Sequence, residues 1–291
     1  MPTARSLDHF VICVQHIETA AEAYRRMGFR VMPVMEHVEI GTSNVIVQFQ
    51  DNYLELIGDF DHCRNPTMNE RMRPWLDVGD DVFWQLACTS TRLEDELAPL
   101  IAQGLDPQPI LSARRRVRLT EGGWDQTDSR SFYTFNDKNI HASIFMSDHR
   151  KPEAIWMPGW QCHPNTTGRV LGISYLADDV GGDVDYTSIM FGGGPETGSA
   201  DRVAFETPRG EFLEIVASAA AANLLPGAQP LQPGIAARGA AFTIEVASLE
   251  QCRWALRDGG VPHRLDGEQL IVPASHGCGM AVHFRQKQGG Q

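Results

Sequence analysis

The sequence predicts an α+β protein made of four β-α-β-β-β units, arranged as two pairs. Three observations predict it. An apolar run, an amphipathic helical stretch and three further apolar runs follow one another in residues 7–57, and again in residues 83–146. A unit of the same order closes the chain, with AFTIEVA, SLEQCRWALRDGG, GEQLIVP and GMAVHF. Between the pairs lies a proline- and glycine-bearing segment, 150–168, which divides the chain into expected domains of residues 1–151 and 152–291.

In the first unit, Leu7 to Val14 reads as a strand. Ile17, Ala20, Ala21, Tyr24 and Met27 then recur at helical spacing, and Gly28 supplies the stop. Strands are expected at 29–35, 45–49 and 53–57, separated by the turn signals GTSN and QDN. In the second unit a strand at 83–88 is followed by TRLE at 91–94, a capping-box pattern. Leu93, Leu97, Leu100 and Ile101 form the apolar face of its helix, in which Pro99 predicts a kink or an early end. Strands are expected near 109–119, 130–135 and 140–146. The third unit is the weakest, because the helix expected in DVGGDVDYTSIMFGG carries many glycines. Residues 219–238 read as a linker.

The 291 residues carry a formal charge of −12, which argues against nucleic acid and anionic membrane surfaces as partners. No apolar stretch reaches the length of a membrane span, and the opening MPTARSLDHF lacks the apolar core of a secretory signal. The six cysteines, at 13, 63, 88, 162, 252 and 278, form no CxxC pair, so reduced thiols and a cytoplasmic location are expected. GGGP at 192–195 is not followed by GK[ST]. Neither G-x-S-x-G nor a G-x-G-x-x-G after a strand occurs. The sequence therefore gives no support for a nucleotide-binding enzyme, a serine hydrolase or a dinucleotide oxidoreductase.

SLDHFVICVQHIETAAEAYRRMGF, the following HVEIGTSN and NYLELIG resemble the glyoxalase-like branch of the vicinal oxygen chelate superfamily, which includes glyoxalases, bleomycin-resistance proteins and extradiol dioxygenases. FMSDHRKPEAIWMPGWQCHPNTTG resembles the segment that joins the two halves in that branch. The resemblance is specific over about residues 6–60 and 144–177, and architectural elsewhere. It implies paired βαβββ modules whose strands form two curved, half-barrel-like sheets around a cavity. It also implies one divalent metal there, held by side chains of first and fourth strands. Carried over, His9 takes the first-strand ligand position and Glu55 the fourth-strand position of the first module. In the second module the first-strand position falls at Trp84, which cannot bind a metal, and the fourth-strand position falls near His141. The implied metal set is thus His9, Glu55 and His141, with His9 and Glu55 also catalytic. It suits Fe(II), Mn(II) or Zn(II) with open positions.

Each of these residues also has an ordinary structural explanation. His9 sits beside apolar Phe10, Val11 and Ile12, a setting that suits a satisfied core histidine. Glu55 alternates with Leu54 and Leu56, so it faces either solvent or the cup. His141 is in phase with Ser143, Phe145, Ser147 and His149, so either histidine can supply the second-module group. His37 and Asn44 are expected to line the pocket with Trp84, His149 and His163, although GTSN and His-Pro-Asn also make turns unaided. Arg114, Arg116 and Arg118 share one face of a strand, which is either solvated or an anion-binding wall. In the second pair Glu214 and His283 echo Glu55 and His141, but the first-strand positions near Gly172 and Ala241 carry no ligand type.

Two functions are consistent with this pattern. One is a metal-dependent lyase, isomerase or dioxygenase acting on a small oxygen-rich molecule. The other is a metal-free protein that binds or sequesters a small planar ligand, favoured by Trp84 at a ligand position. A small-molecule substrate is the expected partner, and a homodimer is left open.

Overall fold

A computed structural model describes residues 5–66, 69, 70, 72 and 80–287. The first unit comprises β1 (Leu7–Cys13), α1 (Ile17–Arg26), β2 (Met35–Glu36), β3 (Ser43–Gln48) and β4 (Tyr53–Gly58). The second comprises β5 (Val82–Thr89), α2 (Leu93–Ala102), β6 (Leu111–Ala113), β7 (Arg116–Arg118), β8 (Trp124–Gln126), β9 (Ser129–Tyr133) and β10 (Ile144–His149). In the third, β11 (Thr167–Ala177), α3 (Val184–Phe191), β12 (Thr197–Gly198), β13 (Arg202–Glu206) and β14 (Phe212–Ala217) follow in turn. A short α4 (Ala221–Leu224) leads to the fourth, with β15 (Ala237–Val246), α5 (Leu249–Asp258), β16 (Arg264–Asp266), β17 (Gln269–Val272) and β18 (Ala281–Gln286).

Sixteen of the strands build two eight-stranded sheets of matching plan, and β7 and β8 pair separately as a two-stranded sheet. The first runs β2-β3-β4-β1-β5-β10-β9-β6 and the second β12-β13-β14-β11-β15-β18-β17-β16. Within the first, β1–β4 and β5–β10 are parallel and the other neighbours are antiparallel. The predicted α+β architecture of repeated βαβββ modules in two curved sheets is therefore the observed one.

Strand alternation sorts the apolar residues onto two faces. Phe10, Ile12, Leu54 and Leu56 face the helices and belong to the largest core cluster, whereas Val11, Cys13 and Ile57 face the other way with Trp84, Tyr133 and Phe145. The helix-bearing faces of the two sheets pack on each other, so the largest cluster runs through both pairs. Phe10 lies 4.8 Å from Phe242 between ring centroids, and Phe83 lies 5.3 Å from Tyr175. Helix α3 of the second pair packs on β10 of the first, where the Tyr186 hydroxyl accepts from the Ile144 amide at 2.8 Å.

Local differences from the sequence reading have physical causes. Helix α2 continues through Pro99. Thr91 does not cap it: Arg92 is the N-cap residue and no side chain caps the helix, while Ser90 Oγ accepts from the Arg92 amide at 3.2 Å just before it. The glycines around α3 flank the helix at 181–182 and 192–194 rather than interrupt it. Residues 29–34 form no regular ladder, although the Met32 amide donates to the Ile46 carbonyl of β3 at 3.0 Å, and only Met35–Glu36 joins the sheet. The strand expected at 140–146 starts at Ile144, because residues 140–142 close a 3₁₀ turn. Ser143 holds that turn: its Oγ donates to the Ile140 carbonyl at 2.7 Å and accepts from the Asn136 amide at 3.0 Å. Ser248 caps α5, accepting from the Gln251 amide at 3.2 Å.

Gly239 marks a tight point of the seam between the sheets, where an added Cβ would lie 2.3 Å from the Phe83 ring. Gly239→Ala is expected to lower unfolding stability by about 1–3 kcal/mol through overpacking. Urea denaturation of the variant and the parent protein measures this, and an unchanged midpoint would show that the seam can relax.

Candidate functional site

The free face of the first sheet encloses a cavity of about 50 Å³, lined by polar groups including His9, His37, Asn44, Glu55 and Arg115 and by an aromatic wall. In that wall Trp84 stacks on Tyr133 at 5.7 Å and Tyr133 on Phe145 at 4.8 Å. The segment joining the two pairs closes one side, where Ile155 and Met157 pack with Met32, Ile46 and Tyr53.

The polar heart of the site begins at a β-bulge. Across β1 and β5, Leu7 pairs with Cys88 and His9 with Ala87, so Asp8 is an extra residue on β1. A bulge re-aims side chains. Here it lets Asp8 and His9 meet, with Asp8 Oδ1 2.6 Å from His9 Nδ1 and 2.8 Å from His149 Nε2. All three groups are taken out of water or nearly so. An ionised carboxylate can only accept, so the protons sit on His9 Nδ1 and His149 Nε2. His9 Nε2 is then free to face Glu55 Oε2, 3.7 Å away. His149 Nδ1 meets Ser129 Oγ at 2.7 Å.

A second histidine meets Glu55 from the other side. His37 Nε2 lies 3.3 Å from Glu55 Oε1, and its Nδ1 is 3.1 Å from Thr42 Oγ1. The amide of Asn44 is oriented by Arg115, whose Nη1 donates to Asn44 Oδ1 at 3.1 Å, leaving Asn44 Nδ2 to donate to Glu55 Oε1 at 2.7 Å. His9 itself stacks on Tyr53, with ring centroids 4.3 Å apart.

The charges follow from these contacts. Burial alone would raise the Asp8 carboxyl, but the charge and hydrogen bond of His149, joined by those of His9, hold it well below the usual carboxylate range. Burial likewise opposes ionisation of Glu55. The hydrogen bond and charge of His37, with His9 and Asn44, outweigh it and bring Glu55 down to about 2. Burial depresses His149, yet the charge and hydrogen bond of Asp8 carry it above its ordinary value. Burial draws Arg115 down to about 10, against the pull of the Glu55 charge.

Several predicted residues lie elsewhere. His141 is on the 3₁₀ turn before β10, packed toward β15, where burial and the Arg238 charge lower it to about 4. It is not among the residues that line the cavity, and His149, in phase with it but inside the regular strand, meets Asp8 instead. His163 is a structural joint: its Nδ1 accepts from the Arg30 amide at 2.9 Å and its Nε2 donates to the Gln48 carbonyl at 2.7 Å. Trp84 lines the cavity, but it is the bulged residue of β5. The register pairs His9 with Ala87 and Val11 with Gln85, so the module symmetry matches His9 with Gln85 and Asp8 with Trp84. The parallel registers likewise match Glu55 with Phe145. Gln85 is fully buried, and neither polar atom of its amide has a partner among the described residues.

Arg114 and Arg116 point outward, toward Glu39 and the Trp124 ring, and only Arg115 between them turns into the cavity. In the second pair Glu214 is held by Ser174, at 2.5 Å, and by Arg202, at 2.6 Å, and His283 donates to the Pro226 carbonyl at 2.8 Å. Asp8, His9 and His149 are the only three metal-ligating side chains among the described residues whose ligand atoms all lie within 4.8 Å of one another.

The sequence profile described as a glyoxalase-like domain matches residues 7–182, more than half of the chain. The chain belongs to the glyoxalase-like domain family. No curated protein sequence matches this glyoxalase-like chain significantly. Among solved structures, a hypothetical protein from Staphylococcus aureus superposes with a TM-score of 0.67 at 8% identity, over 98% of this chain and 100% of that one. A fusion of a xylose isomerase-like TIM barrel with 4-hydroxyphenylpyruvate dioxygenase gives 0.60 at 10% identity, over 100% of this chain and 50% of that one. A triple mutant of 4-hydroxymandelate synthase from Streptomyces coelicolor gives 0.60 at 9% identity, over 100% and 94%. At these identities the likeness is one of fold, that of the vicinal oxygen chelate superfamily. No helix among the described residues is long and apolar enough to cross a membrane.

Glu55 makes the acid side of the stability curve a direct readout of this site. Its folded value of about 2 lies below the ordinary 4.5, so its contribution is complete above about pH 4.5 and is lost as pH falls toward 2. For a buried group this amounts to about 3 kcal/mol. Denaturant unfolding of the metal-free protein across that window should show the loss, and Glu55→Gln should remove that part of the slope.

In the metal-free protein the His149 imidazole should titrate above its ordinary value, and Asp8→Asn should bring it down. NMR titration of the ring protons checks the sign, since an unmoved His149 would mean that Asp8 is not its counter-ion.

Proposed function

We propose that this glyoxalase-like protein is a divalent-metal-dependent enzyme acting on a small oxygen-rich molecule, with His9, His37 and Glu55 holding the metal. The observation that carries the reading is the meeting of two imidazoles on one buried carboxylate. His9 Nε2 faces one oxygen of Glu55 at 3.7 Å and His37 Nε2 faces the other at 3.3 Å. Ligands bound at about 2.0–2.2 Å stand roughly 3–3.5 Å from one another, so each imidazole lies near ligand spacing from the carboxylate, and a bound ion would draw the two imidazoles together. Asp8 is closer still to its two histidines, but at hydrogen-bond lengths and with both protons occupied. It is better placed to orient His9 from behind, as carboxylates do for metal-bound histidines.

Two nitrogens and a carboxylate suit Fe(II), Mn(II) or Zn(II). When bound, such an ion supplies a Lewis acid for adjacent oxygens of the substrate. The chain's own residues do the rest. Asp8 fixes the His9 tautomer, Asn44 orients Glu55, and the aromatic wall with Ile155 limits water. The donor set favours dioxygenase-type over lyase- or isomerase-type chemistry. The fold shared with a dioxygenase fusion protein and a 4-hydroxymandelate synthase is consistent with that choice.

The stacked Trp84, Tyr133 and Phe145 favour a second reading, a metal-free cavity that binds a planar molecule. Elemental analysis after reconstitution with Fe(II), Mn(II) or Zn(II) separates the two. The enzyme reading expects about one equivalent per chain, loss of most of it in Glu55→Gln, and no change in His141→Ala. No metal under any of these conditions would leave the binding reading, and two equivalents would place a second site in the other pair.

A further inference from the structure

Arg115 is 3% exposed and lines the same cavity as His9, His37 and Glu55. Its backbone is clamped: its amide donates to Thr127 Oγ1 at 3.0 Å, and its carbonyl accepts from the Thr127 amide at 2.9 Å. The guanidinium is poorly matched. Nη1 donates to Asn44 Oδ1 at 3.1 Å, Nη2 meets only the Met32 sulfur at 3.5 Å, and buried Nε has no partner among the described residues. Glu55 is the carboxylate whose charge it feels, but Asn44 stands between them and Glu55 is already answered by His37 and His9. Two other arginines pair with carboxylates, Arg5 with Glu96 at 2.9 Å and Arg130 with Asp148 at 2.9 Å. Buried Arg238 is answered by backbone instead, its Nη2 donating to the Gln229 and Pro230 carbonyls at 3.2 Å, and it does not line this cavity.

A buried cation without a counter-ion is costly. A planar guanidinium with free donors is also the group best shaped to receive a carboxylate. A cavity of about 50 Å³ holds only a few waters, on the scale of roughly 10–15 Å³ each. We propose that Arg115 is the anion-binding residue of this cavity and that the substrate is a small carboxylic acid with an oxygen beside its carboxylate, a 2-oxo or 2-hydroxy acid. The carboxylate pairs with Arg115, and the neighbouring oxygen faces His9 and Glu55. The second half of this assignment rests on the metal-site reading; the first does not.

The test compares pyruvate, lactate and benzoylformate with uncharged methyl pyruvate, by calorimetry and thermal shift at matched ionic strength, on metal-free and metal-loaded protein. At least one of the acids should bind and stabilise the protein, and methyl pyruvate should not. Arg115→Met should weaken acid binding to the metal-free protein at least about tenfold, and Arg115→Lys should weaken it less. Unliganded Arg115→Met should also melt no lower than the parent, because an unmatched buried cation has been removed. The proposal is overturned if no acid binds the parent protein, if the ester binds as well as the acid, or if Arg115→Met keeps full affinity. Arg115-dependent acid binding by a protein that takes up no metal would uphold the anion site and remove the metal reading. Metal uptake without preference for the acids would do the reverse.

Discussion

The Asp8 carboxylate is the constraint around which the first cavity is arranged. It is buried where a lone charge is untenable, and it is stabilised by two imidazoles that converge on one of its oxygens. That single acceptor sets the tautomer of both rings. It commits His9 Nε2 to the cavity and ties the end of β10 to the start of β1, so two modules distant in sequence are fixed at one point. Glu55 repeats the pattern one step further in, as a carboxylate between two histidines. The site is thus a relay of alternating acids and imidazoles, in which each charge stabilises the next.

Rigid surroundings make such a relay possible. The helix-bearing faces of the two sheets are packed against each other, which leaves the opposite face of the first sheet free to carry polar residues. The second sheet has the same plan without the same chemistry. Its carboxylate, Glu214, is satisfied by Ser174 and Arg202. Its part in the molecule is as a buttress: α3 and β15 pack against the first pair and hold β10 and the turn before it.

Much of this was legible in the sequence. Strand and helix periodicities gave the units, and the LDHF and NYLEL patterns singled out His9 and Glu55. What could not be read was register. His141 and His149 are in phase on an ideal strand, and only the Ser143-held turn decides which of them the strand carries. Trp84 and Gln85 exchange roles because of one extra residue in β5. Asp8 escaped notice because strict alternation sends it away from His9. Arg115 was hidden inside a basic run, whose even-numbered members looked like the natural face. A residue type that is costly to bury, flanked by neighbours that reach solvent, was the available signal.

The bulge at Asp8 also changes what kind of alteration the site tolerates. A substitution there removes one charge, but losing one residue would iron the strand flat. Everything before His9 would slide by one position, and residues that now face the helices would face the cavity. The site is therefore encoded partly in chain length, a quantity that a residue-by-residue comparison does not score. Two relatives could share every ligand-type side chain and still differ in chemistry through a single inserted or missing residue in the first strand. Sorting members of the family by the spacing around that strand would group them by geometry rather than by composition.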